Sequence, residues 1–276
     1  MPFARVGQID ICHETGGAGP RLLYISGTGG DLRLRPGVFE GPLPDRFEVL
    51  AFDQRGMGRS SKPDVRYTMA DYADDAAGLM EALGWDKALV MGVSFGGMVA
   101  QELVLRHPDK VSRLVLACTS PGGAGGSSFA FNRIQDLAGE ARARHMIPIT
   151  DTRHDAAWAA AHPDEFLQML AFAAQAPFAD EPGHAQGARR QLEARKDHDA
   201  WDRLDQIACP VLIAAGRYDG IALPETQHNL ASRIKGSELR FFEGGHLFTL
   251  QDPEALPAIM DFLAPYPNAT CAIGGR

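Results

Sequence analysis

Apolar residues in this chain gather into short unbroken runs separated by longer stretches of helical period. The runs are Arg21 to Ser26 (RLLYIS), Phe47 to Asp53 (FEVLAFD), Ala88 to Met91 (ALVM), Arg113 to Thr119 (RLVLACT) and Pro210 to Gly216 (PVLIAAG). Short apolar runs without alternation suit strands buried on both faces of a parallel sheet. Between them, Thr68 to Leu83 places Met69, Tyr72, Ala73, Ala76, Leu79, Met80 and Leu83 on one helical face, and Gly84 closes it. A second helix is expected from Phe95 to Arg106, where His107-Pro108 stops it. Further on, the pattern predicts a helix around Glu225 to Ile234, a strand at Leu239 to Glu243 and a last helix from Pro253 to Leu263. Residues 5 to 14 alternate around Val6, Ile9 and Ile11 with Gly7-Gln8 as a turn, an antiparallel hairpin at a sheet edge.

The alternation stops once. Pro121 to Ser128 (PGGAGGSS) reads as a hinge, and from there to about Gln206 no good buried strand is found. The clearest helix in this block starts at Pro163 and is expected to bury Phe166, Leu167, Leu170 and Ala174. The predicted fold is α/β, a mostly parallel sheet with helices on both faces and an inserted helical cap. The core is expected over 1–121 and 207–276 and the cap over 122–206. The cap is expected to be mobile and to choose the substrate without taking part in the chemistry.

Chemistry concentrates where apolar runs end, because open parallel sheets bind ligands beyond the carboxyl ends of their strands. After ALVM comes Gly92-Val93-Ser94-Phe95-Gly96. A strand that becomes a helix at one residue strains that residue, and the positions two before and two after it must be tiny. This Gly-x-Ser-x-Gly pattern presents Ser94 as a nucleophile. A serine needs a base oriented by an acid. Of nine histidines, His246 alone directly follows a predicted strand, in Gly244-Gly245-His246. The acid by the same logic is Asp219, three residues past PVLIAAG, which gives the order Ser94, Asp219, His246. Two N–H donors must hold an oxyanion. One is expected from Phe95 and the other from Thr28, with Gly29 as the alternative. Asp53 and Arg55 read as a structural pair tying down a loop. Phe129, Trp158, Phe166 and Phe172 are candidate walls of the substrate pocket.

Composition narrows the reading. The chain has 276 residues, 45% hydrophobic, and a net charge of −8 without a basic stripe, so neither nucleic acid nor an anionic membrane surface is an expected partner. No apolar run approaches a membrane span, and the N-terminus lacks the apolar segment of a signal peptide. A cytoplasmic location is therefore expected. Cys12, Cys118, Cys209 and Cys271 form no C-x-x-C pair and read as reduced. Asn268-Ala-Thr270 matches a glycosylation acceptor only in spelling. No metal-ligand spacing, G-x-G-x-x-G or Walker lysine is found, so no cofactor is expected. The expected partner is a small-molecule acyl substrate, and nothing specifies an oligomeric state.

Five segments together, SGTGGD, DQRGMGRS, GVSFGG, GRYDGIALPE and EGGHLFTLQDPE, resemble the α/β-hydrolase family from Leu22 to Leu263, the cap left out. The resemblance implies a cofactor-free hydrolase acting on a carboxylic ester or lactone. Carbon–carbon bond hydrolysis, a lyase reaction and a slow-turnover receptor are the alternatives within the fold. The chain has Ser26-Gly27 where family members commonly have His-Gly, a histidine that is usually structural. A serine nucleophile also separates it from haloalkane dehalogenases and epoxide hydrolases, which resemble this fold but attack with an aspartate.

Overall fold

The computed structural model describes residues 1–134 and 136–264. Its strands are β1 (Phe3–Val6), β2 (Ile9–Gly16), β3 (Arg21–Ile25), β4 (Glu48–Phe52), β5 (Ala88–Val93), β6 (Val111–Ala117), β7 (Val211–Gly216) and β8 (Glu238–Phe242). They form one sheet in the order β1-β2-β4-β3-β5-β6-β7-β8. β1 and β2 make the expected antiparallel hairpin, β2 joins β4 antiparallel, and every later pairing is parallel.

Alternate residues of the central strands go to opposite faces, and both faces are buried. Leu23, Ile25, Val90, Leu114, Leu116 and Ile213 pack under the helices α1 (Met69–Ala82), α2 (Phe95–Arg106) and, further along the chain, α7 (Pro224–Arg233). Leu22, Leu89, Met91, Val115 and Leu212 face the other way, against Phe248 of α8 (Phe248–Gln251) and against Ile259 and Leu263 of α9 (Ala255–Leu263). Two-sided burial is why these strands read as unbroken apolar runs. α1 starts where a capping box closes it: Thr68 Oγ1 accepts from the Asp71 amide at 3.1 Å, and Asp71 Oδ2 accepts from the Thr68 amide at 2.8 Å.

Among the described residues between β6 and β7 lie four α-helices, α3 (Gly139–Thr150), α4 (Ala156–Ala161), α5 (Pro163–Ala173) and α6 (His184–Lys196). The glycine-rich run that leads into them is folded into a turn. Gly122 bridges to Asp199, and the Ala200 amide donates to the Pro121 carbonyl at 2.9 Å, so the block leaves and re-enters the core at one place. The small core of the block joins Phe166, Leu170 and Ala174 to Ala143 and Ile147 of α3. Leu167, expected among the buried residues, is 57% exposed, because α5 meets a partner on one side only. Among the described residues no helix is long and apolar enough to cross a membrane. The Pro/Gly-rich tail from 265 on, with Cys271 and the Asn268 acceptor, lies outside them.

Candidate active site

β5 runs into α2 through Ser94, which adopts φ 56° and ψ −115°. Such a conformation persists only if its surroundings over-determine it. The Ser94 amide donates to the Ala117 carbonyl at 2.8 Å, and its own carbonyl accepts from Thr119 Oγ1 at 2.8 Å and from the Gly97 amide at 2.9 Å. A Cβ on Gly96 would strike the Ile25 carbonyl and one on Gly92 the Gly96 carbonyl, so both glycines are required by close approach. Ser94 is 7% exposed.

The loops after β7 and β8 bring the other two residues to it. His246 Nε2 lies 2.9 Å from Ser94 Oγ, and His246 Nδ1 lies 2.8 Å from Asp219 Oδ2. The second oxygen of Asp219 accepts from the amides of Ile221 and Ala222 at 2.7 and 2.9 Å, which fixes the carboxylate's orientation. All three residues assigned to catalysis from the sequence are thus in one hydrogen-bonded line.

Phe95 is the first residue of α2, so its N–H has no intrahelical acceptor, and its buried ring meets Tyr72 edge-on at 5.0 Å. The loop after β3 passes beside Ser94: a Cβ on Gly27 would lie 3.5 Å from that of Ser94. In this loop the Gly29 amide donates to Gln191 Oε1 at 2.8 Å and the Gly30 amide to the Gly27 carbonyl at 3.2 Å. The Thr28 hydroxyl accepts from Arg195 Nη1 at 2.7 Å. Where the family resemblance would place a histidine, the Ser26 carbonyl accepts from Gln54 Nε2 at 2.9 Å.

Asp53 and Arg55 do not pair with each other as the sequence suggested. Asp53 accepts from the amides of Leu32 and Arg59 at 2.7 and 2.8 Å, joining the loops after β3 and β4. Arg55 is clamped by Asp75 of α1 at 2.5 and 2.7 Å. Both carboxylates are buried and turned away from solvent, and burial raises their pKa values.

Cavities lined by described residues lie around the site. One of about 1010 Å³ is lined by Thr28, Gly29, Met57, Phe178 and Gln191. A second, about 260 Å³, is lined by Ser120, Phe129, Phe131, Arg195 and His198. A third, about 360 Å³, reaches His246 past Tyr24, Phe39 and Leu250. Of the expected pocket walls, Phe129 lines the second cavity. Trp158 instead stacks on His162 at 4.9 Å, Phe166 packs inside the helical block, and Phe172 is 64% exposed. None of those three lines these cavities.

Gln191 and Arg195 were not anticipated. With Gly187 they recur every four residues of α6 and so share one face, which lies on the loops after β3 and β4. Among the described residues, one group has donor atoms close enough for a metal: Cys118, Asp219 and His246, within 4.8 Å of one another. Asp219 and His246 are spent on each other, and burial pushes the Cys118 thiol pKa far up, which suits a protonated thiol and not a ligand.

The profile of the alpha/beta hydrolase fold family matches residues 20–253. The provisionally named carbamate hydrolase RutD of Variovorax paradoxus is 31% identical over 89% of this chain and 92% of its own. A poly(3-hydroxyalkanoate) depolymerase of Ectopseudomonas oleovorans is 30% identical over 88% of this chain and 83% of its own. Among solved structures, the enol-lactonase of Burkholderia xenovorans superposes with a TM-score of 0.77 at 23% identity, covering 95% of this chain and 99% of that one. A thermophilic esterase of Thermogutta terrifontis superposes at 0.74 with 26% identity, covering 95% and 97%. With the fold, the strand-end constellation and these likenesses in agreement, the chain belongs to the alpha/beta hydrolase family and is a hydrolase.

Proposed function

We propose that the protein is a serine hydrolase that cleaves a small carboxylic ester or lactone through an acyl-enzyme. The observation that carries this reading is the line from Ser94 Oγ through His246 to Asp219, at 2.9 and 2.8 Å. Ser94 attacks the acyl carbonyl while His246 Nε2 takes its proton. Asp219 accepts from Nδ1 and keeps the imidazole in the tautomer that leaves Nε2 free to do so. The amides of Phe95 and Thr28 hold the oxyanion. Thr28 is preferred to Gly29 because the Gly29 amide is already engaged by Gln191. Collapse of the tetrahedral intermediate breaks the acyl–oxygen bond, and His246 returns the proton to the departing alkoxide. Water, deprotonated by His246, then hydrolyses the acyl-enzyme. In a lactone the alcohol stays tethered to the released acid. Residues 122–206 act in this reading as a cap that covers the site and shapes its cavities.

The esterase and depolymerase named above support an ester as substrate. The carbamate hydrolase relatives favour a second reading, the same attack on a carbamate carbonyl. The test is a panel of p-nitrophenyl esters, lactones and carbamates at low enzyme concentration, with Ser94→Ala alongside. Rapid multiple turnover of an ester or lactone, lost on the order of 10³-fold or more in Ser94→Ala, with a fluorophosphonate probe labelling Ser94 alone, supports the proposal. Label on Ser26 or Ser120, or one burst without turnover, overturns it.

A further inference from the structure

Arg195 is buried, 7% exposed, and no carboxylate among the described residues pairs with it. Its Nη atoms donate to two neutral hydroxyls, Thr28 Oγ1 at 2.7 Å and Ser128 Oγ at 2.8 Å, and its buried Nε has no partner among the described residues. Burial lowers its pKa to about 10, which leaves it a cation at neutral pH. Elsewhere the chain matches such groups with acids: Asp75 meets Arg55, and Glu102 meets Arg203 at 2.9 Å. A buried cation held only by neutral groups keeps an unmet demand for an anion. Asp219 acts on it electrostatically, but that carboxylate is committed to His246.

A second guanidinium approaches the same place. Arg195 and Arg142 both stand over the Phe131 ring, 4.6 and 5.9 Å from its centroid. Arg142, half-buried, donates to the Ile134 carbonyl at 3.3 Å, and no carboxylate among the described residues pairs with it. Arg195 and Phe131 line the 260 Å³ cavity with His198 and with Ser120, whose buried hydroxyl also lacks a partner among the described residues. Arg142 lines the 1010 Å³ cavity, which shares Asn132, Leu192 and Lys196 with the smaller one and extends to Thr28. Of the acids at that wall, Asp31 is taken by Arg33 and Glu193 by Arg190, and Asp136 is exposed.

We propose that the junction of these two cavities is a carboxylate subsite. The substrate is a half-ester, or a lactone bearing a carboxylate, whose free carboxylate sits between Arg195 and Arg142 while its acyl carbonyl lies at Ser94. The inference rests on the acyl-enzyme reading above and narrows its substrate class. The bond to the Thr28 hydroxyl sets Arg195 against the loop proposed to hold the oxyanion, so a short aliphatic spacer joins the two ends of the substrate.

Acid release from monomethyl succinate, glutarate and adipate, against methyl butanoate, pentanoate and hexanoate, tests it. At least one half-ester is expected to exceed its neutral counterpart in kcat/KM by roughly 10- to 100-fold, the range of a hydrogen bond to a charged group. Arg195→Gln and Arg142→Gln are each expected to reduce that ratio by roughly tenfold or more, mainly through KM. Arg195→Gln also frees Thr28, so a uniform loss on all esters there marks a positioning role for Arg195 and counts against the subsite. Arg142→Gln touches no residue of that loop and keeps the test decisive. A ratio near one in the unaltered protein, or one unchanged in both folded variants, overturns the subsite. Fluorophosphonate labelling separates the failures: a labelled Ser94 without half-ester preference sinks the subsite alone, and an unlabelled Ser94 sinks the acyl-enzyme reading beneath it.

Discussion

The carbonyl oxygen of Thr150, the last residue of α3, accepts a hydrogen bond from the amide of His246 at 2.6 Å. Its neighbours extend the contact. The Ile149 carbonyl accepts from the Gly220 amide at 3.0 Å, the Thr152 amide donates to the Tyr218 carbonyl at 2.9 Å, and Asp151 accepts from Gln251 Nε2 at 2.9 Å. The end of α3 therefore clasps both loops that carry Asp219 and His246, so the inserted block is bonded directly to the loops it was expected only to cover. Asp151 is the buried anchor of this clasp, held also by Arg153 at 2.7 and 3.0 Å. Asp151→Ala is expected to lower kcat on the order of tenfold for acetate and longer esters alike, since a small misplacement of the base affects every acyl group. A loss confined to long acyl esters, measured by kcat/KM across a p-nitrophenyl series, would assign the clasp to substrate selection instead.

Asp219→Asn tests the acid. The amide oxygen of asparagine can keep the hydrogen bonds now made to Ile221 and Ala222, so the loop should hold its shape. The amide nitrogen would then face His246 Nδ1, forcing the proton to Nε2, where it blocks acceptance from Ser94. Turnover is expected to fall roughly 10²–10⁴-fold with the thermal midpoint shifted by only a few degrees. Activity that survives this change but collapses on altering a carboxylate of the helical block would place the acid elsewhere.

His198 makes a prediction about pH. Burial drives its pKa down to about 4, against the smaller opposing effects of Glu102 and of the Ser120 backbone. The folded state thus keeps the imidazole neutral through a range where the unfolded chain, near the ordinary value of about 6.5, binds a proton. Stability from this group is complete above the unfolded value and is lost as pH falls toward 4, by about 3 kcal/mol in all. Urea midpoints of the unaltered protein are expected to fall between pH 7 and pH 5, and those of His198→Gln to fall less. Parallel curves would mean that His198 finds a partner for its proton.

The fold was legible because its signal is apolar and local. Each run that became a central strand is buried on both faces, and the capping box at Thr68 and the close-approach glycines at 92 and 96 are fixed by their immediate neighbours. Ser94, His246 and Asp219 were legible for a related reason: parallel strands deliver whatever follows them to one edge. The helical block carries no such signal. Its α6 presents Gly187, Gln191, Ala194 and Arg195 to the core, a face whose apolar part is one alanine, too little for a stripe. Gly187 is there for contact, since a Cβ on it would run into the Gly56 carbonyl. Arg55 likewise found its acid, Asp75, twenty residues away in α1, where spacing alone favoured Asp53. Aromatic residues of the block were readable as apolar but not as facing a cavity or solvent, a choice made by which helix packs on which.

That choice can be measured. Phe131 lines the 260 Å³ cavity and meets the Phe129 ring edge-on at 5.3 Å, whereas Phe172 projects from α5 with 64% of its surface exposed. Truncating a cavity wall removes contacts made only by substrates long enough to reach it, and a hydrophobic pocket discriminates by about 1–3 kcal/mol per missing group. Phe131→Ala is therefore expected to lower kcat/KM for hexanoate or benzoate p-nitrophenyl esters roughly 10-fold or more relative to acetate, with acetate turnover little changed. Phe172→Ala removes a side chain that touches mostly water, so stability should stay within about 0.5 kcal/mol and the acyl ranking should not move. Thermal midpoints for both variants separate a folding defect from a change in selection. If Phe172→Ala reorders the substrates and Phe131→Ala does not, the acyl group enters along α5, and the cavity beside Arg195 is not its binding place.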